Sequence, residues 1–127
     1  MDRKIVEAND APKAIGPYSQ AVVSGGFLFT AGQIPLDPAT MKIVDGGIEA
    51  QATQVLMNLK AILSAEGLDF GNVVKTTMYL KDLDDFQAVN GIYTQFFGDS
   101  KPARSTLQVA KIPLDSLVEI EVIAKVK

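Results

Sequence analysis

Apolar residues recur every three or four positions in two long stretches of the chain, the spacing that lines one face of an amphipathic helix. The first stretch follows Asp45-Gly46-Gly47 and stops at Gly67, and the second follows Asp82 and stops at Gly98. Glycine commonly ends a helix, and aspartate is favoured where a helix begins. The pattern therefore predicts two helices. Their apolar stripes are Ile48, Ala52, Val55, Leu56, Leu59, Ile62 and Leu63, and Phe86, Val89, Ile92, Tyr93, Phe96 and Phe97.

Alternation of apolar and polar residues marks the other regular segments, as expected of strands with one buried face. A hairpin is predicted in residues 21–31, where Ser24-Gly25-Gly26 separates two β-like runs. Further strands are predicted at residues 5–6, 74–80, 101–109 and 117–124. This α+β order predicts one domain over residues 1–127, with two helices on one face of a mixed or largely antiparallel sheet.

The last two predicted strands carry the charged residues of greatest interest. Because only a short segment (residues 112–116) separates them, we expect these strands to pair, with Arg104 and Glu119 on neighbouring strands. The apolar residues at 118, 120, 122 and 124 share the buried face, so Glu119 and Glu121 point to the other face. The sequence therefore predicts an arginine and two carboxylates on one open sheet surface.

That open surface also carries Thr77, Tyr79, Leu117 and Ile123. A sheet face with this much apolar area usually contacts another subunit. The pattern therefore predicts an oligomer built on the sheet.

The composition says more about the possible chemistry of the protein than about its fold. The 127 residues are 47% hydrophobic and 21% charged, as in a compact globular protein, and include no histidine and no cysteine. Ser-His-Asp triads, thiolate nucleophiles, disulfides and zinc-cysteine sites are therefore excluded. Any catalysis must use carboxylates, arginine, lysine, tyrosine, hydroxyls, backbone groups or water.

Charge and motif content also restrict the partners. The net charge is −3, and no basic run is longer than Arg3-Lys4, which argues against nucleic acid as a partner. No apolar run is long enough to cross a bilayer and no signal-like segment opens the chain, so we expect a cytoplasmic protein without a membrane partner. Neither GxGxxG nor a P-loop is present, and we expect no cofactor and no metal.

Each charged candidate has a structural alternative. The guanidinium of Arg104 can hold a planar carboxylate through two parallel hydrogen bonds, or it can form a structural ion pair with Glu119 or Glu121. Glu119 can orient or deprotonate a water molecule, or it can form an interface salt bridge. Glu121 is interpreted as a structural partner. The residues alone leave these alternatives open.

Four uncharged positions are weaker candidates. Tyr18 can bring its hydroxyl to a pocket or act as an aromatic plug on the core. Ala31 and Gly32 offer backbone groups at a strand end, or simply form a turn, and Asn90 would be a surface residue in most helices.

Several short motifs together resemble the RidA family, also called YjgF or reactive intermediate deaminase, over nearly the whole chain. They are Ala14-Ile15-Gly16-Pro17-Tyr18-Ser19-Gln20, Ala31-Gly32-Gln33-Ile34-Pro35, Val74-Lys75-Thr76-Thr77, Pro102-Ala103-Arg104-Ser105 and Val118-Glu119-Ile120-Glu121. The resemblance implies a chorismate-mutase-like fold and a homotrimer with pockets between subunits. It also implies cofactor-independent hydrolysis of 2-imino or 2-enamino acids, such as 2-iminobutanoate and 2-iminopropanoate, to 2-keto acids and ammonia.

The resemblance also implies roles for individual residues. Arg104 matches the arginine that binds the substrate carboxylate, and Glu119 matches the glutamate that positions the attacking water. Tyr18, Gly32 and Asn90 match residues of the substrate pocket.

Two substrate-binding positions depart from the pattern of many deaminase members. Thr106 stands where many have cysteine, and Ala31 stands where many have serine. These departures put the polarity and the substrate preference of the site in question. The rival hypotheses are a non-catalytic binder of small carboxylates, a chaperone-like protein, and an endoribonuclease-type translation inhibitor.

Overall fold

The computed structural model describes residues 2–127, which form six strands and two α-helices. The helices are α1 (Ile48–Ala65) and α2 (Phe86–Phe97). The strands are β1 (Arg3–Val6), β2 (Ala21–Ser24), β3 (Phe27–Thr30), β4 (Val73–Leu80), β5 (Ala103–Gln108) and β6 (Val118–Lys125). Both predicted helices and all predicted strands are therefore present.

Local sequence explains where these elements turn and end. Gly25 and Gly26 have φ of 60° and 85° in the β2–β3 turn, and positive φ at both central residues is what a type I′ hairpin requires. Gly67 and Gly98 also have positive φ and follow α1 and α2. Before α2, the side chain of Asp82 accepts a 2.8 Å hydrogen bond from Asp84 N and caps a short 3₁₀ turn.

The helices cover one face of a mixed sheet with strand order β1-β2-β3-β6-β4-β5. Neighbouring strands are antiparallel except β4 and β5, which are parallel because α2 forms a crossover between them. Met78 and Ile120, from the covered face, are fully buried in the same core as Leu59 and Ile62 of α1. The predicted α+β class, with both helices on one face, is confirmed.

The predicted pairing of the last two strands is wrong. β6 lies between β3 and β4, and β5 pairs only with β4 at the sheet edge. The burial pattern gives the physical reason: alternate residues of β6 are completely buried, as in a central strand, whereas no residue of β5 is. Arg104 and Glu119 are therefore separated by a whole strand.

Within residues 2–127, neither helix has the length and apolar character needed to cross a membrane.

Candidate active site

Arg104 faces the helix-covered side of the sheet. It lies opposite Thr76 in the parallel register of β4 and β5, and Nη1 donates a 2.8 Å hydrogen bond to Asn90 Oδ1 of α2. The guanidinium carbon lies 4.7 Å from the ring centre of Tyr93 and 5.2 Å from that of Phe86. Aromatic rings next to a planar guanidinium restrict its orientation as well as attract its charge. Arg104 is therefore held in place by α2.

The Tyr93 ring is itself fixed. Its hydroxyl forms a buried 2.9 Å hydrogen bond with Thr76 Oγ1, and its ring stacks on Phe97 with centres 4.2 Å apart. Thr106 lies opposite Met78, two residues beyond Arg104, and so belongs to the same sheet face. Asn90, Arg104 and Thr106 thus form one group of candidate residues.

Arg104 has no carboxylate partner within residues 2–127. The ion pairs in this part of the chain join Lys4 to Glu66 and Lys81 to Asp115. The alternative in which Arg104 forms a structural ion pair with Glu119 or Glu121 is therefore wrong within one chain. A guanidinium carries five N–H donors. Because Asn90 occupies only Nη1, other donors are available to a ligand carboxylate.

Glu119 lies on the opposite face. It is paired with Tyr79 across β4 and β6, at a position alternate to the buried residues of both strands. The backbone of Gly32 packs directly against it, since a Cβ at position 32 would overlap Glu119 Oε2 and lie 2.8 Å from Cδ. Only glycine leaves room for the carboxylate in this position.

The electrostatic environment makes Glu119 a stronger base than an ordinary glutamate. Burial raises the pKa of its carboxyl, and the nearby charge of Glu121 raises the pKa further. Tyr79 Oη donates a 2.5 Å hydrogen bond to Glu121 Oε1, and this bond, together with burial and the charges of Glu121 and Glu119, raises the pKa of Tyr79 to about 12. Glu121 is thus engaged by Tyr79, whereas the Glu119 side chain has no hydrogen-bond partner in residues 2–127.

Two buried amide side chains fix the loops around Glu119. Gln20 accepts a 2.6 Å hydrogen bond from Ala8 N and donates one of 2.7 Å to Pro12 O. Asn58 of α1 donates a 3.0 Å hydrogen bond to Leu36 O. These contacts hold the segments before Tyr18 and after Gly32, while Tyr18 itself is 52% exposed.

The candidate residues other than Thr106 border two separate clefts. Tyr18, Ala31, Gly32 and Glu119 line a cleft of about 450 Å³, here called the glutamate cleft. Asn90 and Arg104 line another of about 440 Å³, here called the arginine cleft. The predicted cluster of one arginine and two carboxylates on one surface is wrong. Arg104 aligns with the buried Thr76 of β4 whereas Glu119 aligns with Tyr79, so the two side chains lie on opposite faces of the sheet.

Sequence reasoning missed several supporting residues. Phe86 and Tyr93 were assigned only to the apolar stripe of α2, yet both rings contact Arg104. Gln20 and Asn58 were not singled out. The spacing of Asn58 could have indicated its role. It lies three residues after Val55 and four before Ile62, on the apolar stripe of α1, where a polar side chain needs buried hydrogen-bond partners.

No group of three or more acidic side chains within residues 2–127 is placed to hold a metal ion.

Comparison with known proteins identifies the family. Residues 8–126 match the family model described as Endoribonuclease L-PSP. The chain is 52% identical over 122 residues to the RutC family protein PH0854 of Pyrococcus horikoshii, covering 96% of this chain and 97% of that protein. It is 51% identical to the 2-iminobutanoate/2-iminopropanoate deaminase of Mus musculus, covering 96% and 90%.

A solved structure gives the same result for the fold. The crystal structure of E. coli TdcF with bound serine superposes with a TM-score of 0.92 at 45% identity, covering 98% of this chain and 99% of that one. The chain therefore belongs to the RidA/YjgF family, which includes the Endoribonuclease L-PSP group.

Proposed function

We propose that this protein is a cofactor-independent deaminase that hydrolyses 2-imino and 2-enamino acids to 2-keto acids and ammonium. Its active site would form between two copies of the chain, the arginine cleft of one facing the glutamate cleft of the next. The observation that carries the proposal is the division of the candidate residues: Arg104 offers free guanidinium donors on one sheet face, and Glu119 offers an unpaired base on the other.

Each residue would then have a definite task. The guanidinium of Arg104 binds the substrate carboxylate with two parallel hydrogen bonds, and the Tyr93 and Phe86 rings keep it oriented. Substrate C2 is thereby presented to a water molecule beside Glu119. Serine, which the similar E. coli protein binds, carries the same carboxylate group that this arrangement would recognise.

The atoms and charges of the hydrolysis balance with water alone, so the reaction needs no cofactor. An enamine first takes a proton at C3 to become the iminium. Glu119 removes a proton from water as the oxygen bonds to C2, which gives a carbinolamine, and the nitrogen then takes up that proton. The C–N bond breaks with its electron pair on nitrogen, and the hydroxyl gives its proton to the departing ammonia, so that iminium and water yield the 2-keto acid and ammonium. Positioning and charge stabilisation supply the catalysis.

The open sheet face supports assembly into a ring. Phe29 is 44% exposed on this face, next to Ile123 of β6. A contact that joins two different surfaces repeats from copy to copy, and where the rotation between copies closes, it forms a ring with one complete site at every interface. We propose that this ring is a homotrimer in the cytoplasm.

The proposed reaction is tested by coupling the protein to a pyridoxal-phosphate threonine dehydratase and measuring loss of the imine and release of ammonia. Arg104→Ala should weaken substrate capture by a factor on the order of 100, because two charge-assisted hydrogen bonds are lost. Glu119→Gln should slow turnover while leaving keto-acid binding intact. Arg3→Ala and Glu49→Gln are matched controls outside both clefts.

Two results would contradict the proposal. The first is an imine lifetime that the native protein does not shorten. The second is a native kcat/KM in either the Arg104→Ala or the Glu119→Gln variant. Parallel incubation with RNA tests the nuclease alternative, which the net charge of −3 does not favour.

A further inference from the structure

The loop between β5 and β6 holds one leucine in an unusual conformation. Leu114 has φ of 57° and ψ of 25°, and Asp115 follows with φ of 55°. Left-handed backbone is uncommon for residues other than glycine, asparagine and aspartate, and costs about 1 kcal/mol or more for a leucine. Such outliers persist where surrounding contacts enforce them, often at ligand sites.

The loop is firmly anchored on both sides of Leu114. Ile112 is 2% exposed and Ser116 is fully buried, and Ser116 Oγ donates a 2.9 Å hydrogen bond to Pro113 O. Asp115 is bound by Lys81 at 2.7 Å. The anchors fix the backbone while the Leu114 side chain projects outward, 62% exposed.

Leu114 borders the glutamate cleft. Pro113 and Leu114 line this cleft from one side, and Ile15, which is 71% exposed, lines it from the loop before Tyr18. We call Ile15, Pro113 and Leu114 the apolar wall. The glutamate cleft therefore has two parts. One is polar and contains the Glu119 carboxylate, and the other is apolar and is lined by Ile15 and Leu114.

The chemistry of the substrate indicates what the apolar wall contacts. This step rests on the proposed function. In a 2-imino acid the carboxylate and the reacting C2 are adjacent, so once Arg104 and Glu119 engage them, the side chain from C3 onward must extend into another part of the cleft. We propose that the apolar wall is the side-chain subsite, and that Leu114 gives this protein a preference for 2-imino acids with extended aliphatic side chains.

The selectivity test compares imines of different side chains, generated by an amino-acid oxidase from leucine, alanine or glutamate and trapped with semicarbazide. The native protein should have a higher kcat/KM for the leucine-derived imine than for the alanine-derived one. Leu114→Ala should lower that ratio about tenfold, since removing methyl and methylene groups from an apolar pocket has effects of this size. Leu114→Met should retain the ratio, as should Leu83→Ala, a matched change at an exposed leucine outside both clefts.

Three outcomes would overturn the subsite. A ratio unaffected by Leu114→Ala would show that Leu114 does not contact the side chain. A preference for the glutamate-derived imine would show that Lys13, which lines the same cleft, dominates the selectivity. If Leu114→Ala lowered kcat/KM equally for every imine and also dissociated the oligomer, Leu114 would pack against another copy instead.

A binding experiment separates failure of the subsite from failure of the deaminase proposal. Calorimetry with 4-methyl-2-oxopentanoate and with pyruvate measures side-chain preference without turnover. Tighter binding of the longer keto acid that is lost in Leu114→Ala would support the subsite even if no imine were hydrolysed. If imines are hydrolysed but both keto acids bind equally well, the subsite is refuted and the deaminase proposal stands.

Discussion

Mixing two variants that the proposed mechanism predicts to be inactive tests directly whether the active site is divided between copies. Arg104→Ala removes the proposed carboxylate-binding group from the arginine cleft, and Glu119→Gln removes the proposed base from the glutamate cleft. Because the two residues face opposite sides of the sheet, each variant keeps the other half of the site intact. A mixed oligomer can therefore contain a complete site made from one copy of each variant.

The activity expected after mixing follows from the fraction of interfaces at which both residues are intact. In an equal mixture, half of the chains carry an intact Arg104 and half carry an intact Glu119. If the copies assort at random around a closed ring, both halves are intact at about one quarter of the interfaces, whatever the size of the ring. The activity after mixing should therefore reach about one quarter of the native value, against nearly none for either variant alone.

The assay needs proof of exchange. The variants are purified with different affinity tags and are unfolded and refolded together; retention of part of the mixture by both tags in succession proves exchange, and the unfractionated mixture is assayed. Imine hydrolysis is then measured per chain, with separately refolded variants, combined afterwards, as the control. Mixed oligomers that stay as inactive as the separate variants would refute the divided site.

Two further predictions concern the glutamate cleft. Gly32→Ala should leave the thermal midpoint close to native, because the new methyl group displaces only the end of the Glu119 side chain. Turnover should slow about 100-fold, since displacing a reacting group by about 1 Å reduces the rate by this factor. Native-like turnover would contradict the packing of Gly32 against Glu119. Glu121→Gln keeps an acceptor for Tyr79 and removes a charge that raises the pKa of Glu119, so that this pKa falls. Because the ionised form of Glu119 acts as the base in the proposed mechanism, activity should persist to lower pH, and an unchanged acid limb of kcat/KM against pH would contradict this coupling.

Local patterns were sufficient for the elements of the fold. The apolar stripe from Ile48 to Leu63 predicted α1, and Ser24-Gly25-Gly26 predicted the turn of the hairpin. These features depend on interactions between residues three or four apart, or on the backbone freedom of glycine. The face to which Glu119 points also followed from alternation along β6 alone.

Partners across the sheet could not be obtained in the same way. The short segment before β6 favoured pairing with β5, but β6 is the more completely buried strand and lies in the middle of the sheet. Strand order depends on which surfaces are covered in the folded chain, and this information is spread over α1, α2 and β3. The orientation of Arg104 towards Asn90 was consequently missed as well.

The sequence by itself determined the α+β class, the two helices, the face of Glu119 and the exclusion of histidine and cysteine chemistry, because composition and local periodicity carry that information. Only the tertiary structure decided that Arg104 and Glu119 occupy opposite faces, with β4 between their strands and a glycine fitted against the carboxylate. The physical reason is that side-chain alternation fixes a face within one strand, whereas the distance between two strands depends on packing contacts far apart in the chain.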